Sequence, residues 1–147
     1  MTREEVTQQI LEARKRKGLA WTAIANKVGR DKVWTTAALM GQTQMGEDEA
    51  QVVVDLLDLD PDAIDVLQEC PTRGSLAPTI PTDPLIYRFY EIMQVYGAPM
   101  KELIHEEFGD GIMSAIDFEA YVEREEDPAG DRVKITYSGK FLPYRKW

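Results

Sequence analysis

The run Gly109-Asp-Gly-Ile-Met-Ser114-Ala-Ile-Asp-Phe118-Glu-Ala-Tyr-Val122 decides the class of fold, because the spacing of apolar residues changes within it. Upstream the apolar positions follow a helical repeat. After Ser114, Phe118, Ala120 and Val122 alternate with Asp117, Glu119, Tyr121 and Glu123, which is the period of a strand with one exposed face. Asp127-Pro-Ala-Gly-Asp131 then has turn chemistry, and Val133, Ile135 and Tyr137 alternate with Arg132, Lys134 and Thr136 on a returning strand. Ser138-Gly139 reads as a bend or bulge before Phe141. The chain is therefore α+β, with helices first and one hairpin last. An isolated hairpin is marginal in water, so these strands are expected to pair with another chain.

Working back toward the N-terminus, Asp83 and Pro84 supply a cap and a first-turn proline for a helix expected to run to about Tyr96 and stop at Gly97. Pro99 is expected to open another, ending near Gly109. Prolines at 71, 78, 81 and 84, with Gly74 and Ser75 among them, deny helix and strand hydrogen bonding, so residues 71–82 are assigned as a linker. It joins a helical bundle, 1–70, to a second domain, 83–147. In the bundle, Thr2 and Glu5 have capping-box spacing, and Val6, Ile10 and Ala13 recur at helical intervals up to Gly18. A helix near Thr22 to Val28 stops at Gly29, and another is capped by Asp31 and closes at Gly41. Glu47 to Leu57 and Ala63 to Gln68 complete the bundle, with Asp60 and Pro61 expected to start the last.

With 44% apolar residues and three Trp among 147, the chain is a globular protein and not a disordered polymer. Neither half can bury a generous core alone, so contact between subunits is expected to add stability. The net charge of −9 disfavours nonspecific attraction to nucleic acid or anionic membranes, and neither half is basic. An anionic ligand must therefore meet a local positive group. No apolar run approaches the roughly 20 residues that span a bilayer, and Met1-Thr-Arg-Glu-Glu lacks the regions of a secretory signal, so a cytoplasmic location is expected. Cys70, the one cysteine, excludes an intrachain disulfide and is expected to fill core space.

Leu85-Ile-Tyr-Arg88-Phe-Tyr-Glu91 sets two charges among apolar residues. The planar guanidinium of Arg88 suits a carboxylate-like or linear anion. Glu91 lies three residues on, along the same helical face, so spacing alone is equally consistent with a surface ion pair. Ser114 could either hold a ligand or cap a backbone group. His105, the one histidine, shares its helix with Glu102 and Glu106 and reads as a packing or ion-pair residue. No Ser-His-Asp triad, metal-ligand spacing or phosphate-cradling glycine loop can be assembled, so no metal or cofactor is expected.

Tyr87-Arg88-Phe89-Tyr90-Glu91, Gln94-Val95-Tyr96-Gly97, His105-Glu106, Phe108-Gly109-Asp110-Gly111-Ile112 and Gly139-Lys140-Phe141-Leu142-Pro143 resemble cyanase, also called cyanate hydratase, and the likeness covers nearly all of the chain. The resemblance departs at Tyr144-Arg-Lys-Trp147 and in the turn near Pro128. It implies that Arg88, Glu91 and Ser114 form the catalytic set. It also implies that cyanate and bicarbonate react to carbamate and carbon dioxide, bicarbonate being a cosubstrate and no cofactor being needed. Carbamate would then break down to ammonia and a second carbon dioxide. The assembly implied is an interlocked dimer through the hairpin, five of which form a decamer with sites composed from several subunits.

A different class competes at the N-terminal end. Trp21-Thr-Ala-Ile-Ala25-Asn-Lys-Val-Gly29-Arg-Asp-Lys-Val-Trp34 has the small residue and turn glycine of a helix-turn-helix, so the bundle resembles a repressor domain. The would-be reading helix offers only Arg30 and Lys32 to phosphates, and acidic Glu47-Asp-Glu49 follows. The bundle is therefore read as an assembly element without nucleic-acid binding. A small-anion sensor without chemistry is the third reading.

Overall fold

The computed structural model describes residues 1–74 and 80–147, which form six helices and one antiparallel strand pair. The chain divides into two compact units, Met1–Ser75 and Leu76–Trp147. Part of the expected linker, 75–79, lies outside the described residues.

Local chemistry sets the helix ends of the first unit. The Thr2 hydroxyl accepts from the Glu5 amide while the Glu5 carboxylate accepts from the Thr2 amide at 2.7 Å, and this capping box opens α1 (Arg3–Lys17). Gly18, at φ 62°, closes it in the left-handed conformation that glycine adopts without a Cβ clash. α2 (Trp21–Val28) ends at Gly29, and α3 (Lys32–Leu39) starts where the Asp31 carboxylate accepts from the Val33 amide at 2.8 Å. α4 (Glu47–Leu57) and α5 (Ala63–Gln68) follow. The Asp60 carboxylate, two residues ahead of the N-cap position, accepts from the Asp62 amide, so it shapes the approach to α5 and does not cap the helix as expected. Val6, Ile10, Ile24, Leu39, Leu57 and Leu67 are fully buried and form a single core. Arg3 ties its edge together: the guanidinium donates to the carbonyls of Val66 (2.7 Å), Ala38 and Thr43 (2.9 Å each). Burial lowers its pKa, partly offset by Glu69.

Cys70 is exposed, which corrects its expected place in the core. The apolar face of α5 ends at Val66 and Leu67, and Cys70 lies beyond the helix, with its thiol 3.7 Å from Gln44 Oε1.

The second unit consists of α6 (Pro84–Phe108), β1 (Gly111–Glu125) and β2 (Arg132–Pro143). Asp83 caps α6 through its carboxylate, which accepts from the Leu85 and Ile86 amides at 2.9 Å each. One continuous helix replaces the two expected, passing through both Gly97 and Pro99. Gly97 does not take the left-handed conformation of a helix stop, and a proline removes only one hydrogen bond, leaving the turns on either side intact. Termination waits for Gly109, whose φ is 87° and whose amide donates to the His105 carbonyl at 2.9 Å. β1 also starts earlier than the alternation after Ser114 suggests. Gly111, Ile112 and Met113 already pair with Pro143, Leu142 and Phe141.

Glu49 supplies a test of the first unit. Its side chain, 14% exposed, bonds Arg30 Nε at 2.5 Å and the Gly46 amide at 2.8 Å. Burial alone would raise its pKa, but the Gly46 amide and Arg30 outweigh burial and hold it below the usual carboxylate value. A depressed folded pKa stabilises above the unfolded value of about 4.3, and this stabilisation is lost as pH falls through the folded one. Glu49→Gln is expected to destabilise by roughly 1 kcal/mol at pH 7, with the difference from the parent shrinking as pH falls through the folded value, read by urea unfolding with Trp fluorescence.

Candidate functional site

Arg88 lies one turn into α6, directly after the Asp83 cap. Its Nε donates to the Pro84 carbonyl at 3.2 Å, Nη1 lies 3.3 Å from Glu91 Oε2, and the guanidinium sits 5.2 Å from the centre of the Tyr87 ring. Helical geometry thus brings Arg88 and Glu91 together, as their spacing predicts. Both side chains remain about half exposed, at 58% and 48%, so the pair adds little to stability. The guanidinium keeps donors free on its outer edge.

The setting of this pair is unusual for a surface. No residue of α6 is buried in the chain, yet Leu85, Ile86, Phe89, Ile92, Met93 and Val95 stand exposed around it. Helices that are apolar on every side are ordinarily buried, and an exposed apolar area of this kind marks an interaction surface. Charges placed there can become desolvated only where other groups satisfy them.

Ser114 sits on the hairpin. Met113 pairs with Phe141 and Phe118 with Gly139, so the four residues Ser114 to Asp117 stand against the single residue Lys140. This is a β-bulge on β1, next to the glycine at which the sequence suggested an irregularity. The Ser114 hydroxyl oxygen accepts from the amides of Ile116 at 3.0 Å and Asp117 at 2.9 Å. The residue is only 5% exposed. With two donors on its oxygen, the hydroxyl has its proton left to offer, so it can act as a donor to an acceptor such as an anion. Backbone capping, one of the two roles its sequence position allows, is present.

The two parts of the candidate set do not meet within one chain. Arg88 lies twenty positions before Phe108, about 30 Å along the helix at 1.5 Å per residue. The helix touches the hairpin at its last turn, where His105 Nε2 lies 3.2 Å from the Gly111 carbonyl and Phe108 stacks on Phe141 at 5.0 Å. Among the described residues no hydrogen bond or ion pair joins Arg88 or Glu91 to Ser114. His105 has a backbone partner, in place of the ion pair its neighbours suggested. Among the described residues no group of three or more His, Cys, Asp or Glu is placed to hold a metal, and no helix is long and apolar enough to cross a membrane. Sequence reasoning missed that the extra residues of the bulge lie on β1. Gly139, which pairs with Phe118 at the edge of the bulge, was its available signal.

Comparison with known proteins matches both units. The family model for the cyanate hydratase N-terminal domain matches residues 3–71, and that for the cyanate lyase C-terminal domain matches 78–146. Cyanate hydratase of Thiobacillus denitrificans is 57% identical over 147 residues, covering all of both chains, and that of Trichormus variabilis is 56% identical over the same span. Among solved structures, cyanase from T. urticae superposes with a TM-score of 0.81 at 40% identity, covering 95% of this chain and 97% of that one.

Ser114→Ala provides a direct check on the bulge. Without the acceptor, the Ile116 and Asp117 amides are expected to exchange with solvent roughly five- to tenfold faster, corresponding to about 1 kcal/mol of lost local protection. Unchanged exchange in the variant would contradict the hydrogen bonds assigned to the hydroxyl.

Proposed function

The chain belongs to the cyanate hydratase family, and from that membership we propose that it catalyses the bicarbonate-dependent decomposition of cyanate to carbamate and carbon dioxide. Carbamate then breaks down to ammonia and a second carbon dioxide. The chain is an enzyme, a lyase. Bicarbonate enters as a cosubstrate and no cofactor is required. We place the reaction in the cytoplasm.

The observation that carries this reading is the state of the Ser114 hydroxyl, whose oxygen is occupied by two amides and whose proton remains to be given. That is the arrangement of an anion-binding donor, and it leaves little scope for a serine nucleophile. Uniting two monoanions is opposed by their mutual repulsion. A site that fixes both against preorganised donors turns the encounter into an effectively intramolecular step. Arg88 anchors and aligns the anions through its free guanidinium edge. Ser114 hydrogen-bonds cyanate or the charge that develops on it. Glu91, 3.3 Å from Arg88, orients the guanidinium or manages a proton.

These groups converge only between copies of the chain. The apolar surface of α6, unburied within its own chain, supports an assembly in which sites are composed from neighbouring subunits. We propose an interlocked dimer through the hairpin, and five such dimers in a decamer. The Trp21–Trp34 segment serves assembly and not nucleic-acid binding, because its short helices present little positive charge in a chain of net charge −9.

Ammonia release from cyanate, measured with and without added bicarbonate, tests the reaction. Release that requires bicarbonate is expected, and Arg88→Lys should lower kcat on the order of a hundredfold, since a point ammonium cannot reproduce the planar fork. Turnover without bicarbonate, or near-parental turnover in the variant, would refute the assignment. By light scattering, the active species should have a mass near ten times the 16.7 kDa chain. A fully active monomer would contradict the shared site.

A further inference from the structure

We propose that Gly139 is a positioning residue for Ser114, its absent side chain being the space into which the Ser114 backbone is seated. This rests on the reading that Ser114 acts in the site. A Cβ added at Gly139 would overlap the Ser114 carbonyl oxygen and lie 2.6 Å from Met113 Cγ and 3.3 Å from Met113 Sδ. Met113 could swing its flexible end aside, but a backbone oxygen moves only with its peptide. The requirement is for space and not for an unusual dihedral, because Gly139 has no positive φ and its backbone conformation is open to any residue.

The register explains why this position is the one that matters. Gly139 is the first β2 residue to pair after the bulge, opposite Phe118, and the four bulged residues must close over the single residue Lys140 between Phe141 and Gly139. Closure brings the Ser114 carbonyl against Gly139 while the Ser114 hydroxyl turns inward to accept from Ile116 and Asp117. The two ends of one residue are thus fixed at once: the carbonyl by the missing side chain, the hydroxyl by the amides. Gly111 differs. Its Cβ would meet the Leu142 carbonyl and Phe141 Cζ at 2.5 Å each, at the open end of the hairpin and away from Ser114. Gly139 alone among the glycines abuts Ser114.

The test compares the parent, Gly139→Ala, Ser114→Ala and the double variant as full-length assembled proteins. It reads mass by light scattering, melting temperature, kcat and KM for cyanate at saturating bicarbonate, and exchange of the Ile116 and Asp117 amides. Gly139→Ala is expected to assemble, to lose about a hundredfold in kcat with a smaller change in KM, and to exchange both amides faster. The double variant should be no worse than Ser114→Ala, since both changes act through one hydroxyl. Parental kcat in Gly139→Ala, or losses that multiply in the double variant, would overturn the proposal. Failure of Gly139→Ala to assemble would overturn it too, by moving the glycine's role to formation of the hairpin. Full activity of Ser114→Ala would instead remove the reading of Ser114 itself, and amide exchange in Gly139→Ala would still show whether the seating holds.

Discussion

One constraint governs the second half of this chain: a 25-residue helix carries apolar side chains around its circumference and buries none of them by itself. Burying apolar area stabilises by about 25 cal/mol per Å², and each exposed Leu, Ile, Phe or Met on α6 is an opportunity left unmet within one protomer. Two of the groups proposed to carry the chemistry, Arg88 and Glu91, sit on this same surface. Arg88 and Glu91 are half in water now, where an ion pair is weak, and their interaction gains strength only if water is displaced. In the proposed assembly, association and catalysis draw on one surface.

The hairpin meets a different demand. Strand pairing favours regularity, and Ser114 sits where regularity fails. Four residues closing over one leave amides without cross-strand partners, and the Ser114 hydroxyl accepts two of them. The cost of the irregularity is met locally, and the result is a hydroxyl with one orientation and one remaining function. A serine in a regular strand would rotate among rotamers and lose that definition.

Much of the fold could be read from the sequence because local chemistry decides it. Thr2 with Glu5, Asp31, Asp83 with Pro84, and glycines at 18 and 29 act within a turn of where they stand, and the structure uses each as its chemistry suggests. Reading failed where the outcome depends on partners distant in sequence or on weak penalties. Gly97 and Pro99 resemble a helix stop, yet neither forces one. β1 begins at Gly111 because Pro143, some thirty residues on, returns to pair with it, and no window around Gly111 contains that fact. The candidate site was legible in part. Arg88 and Glu91 are neighbours by helical spacing alone, but the bulge at Ser114 follows from a count across two strands, and the distance from Ser114 to Arg88 follows from an uninterrupted α6.

The division into two units has a kinetic consequence. Met1–Ser75 closes its core among its own residues, so it can fold by a first-order process at a rate that ignores how many chains are present. The described residues of Leu76–Trp147 form no such core, and in the proposed assembly its helix gains shelter on meeting another copy of the chain. In that assembly maturation is paced by encounter, and a newly made chain passes through an interval in which one half is native and the other is sticky.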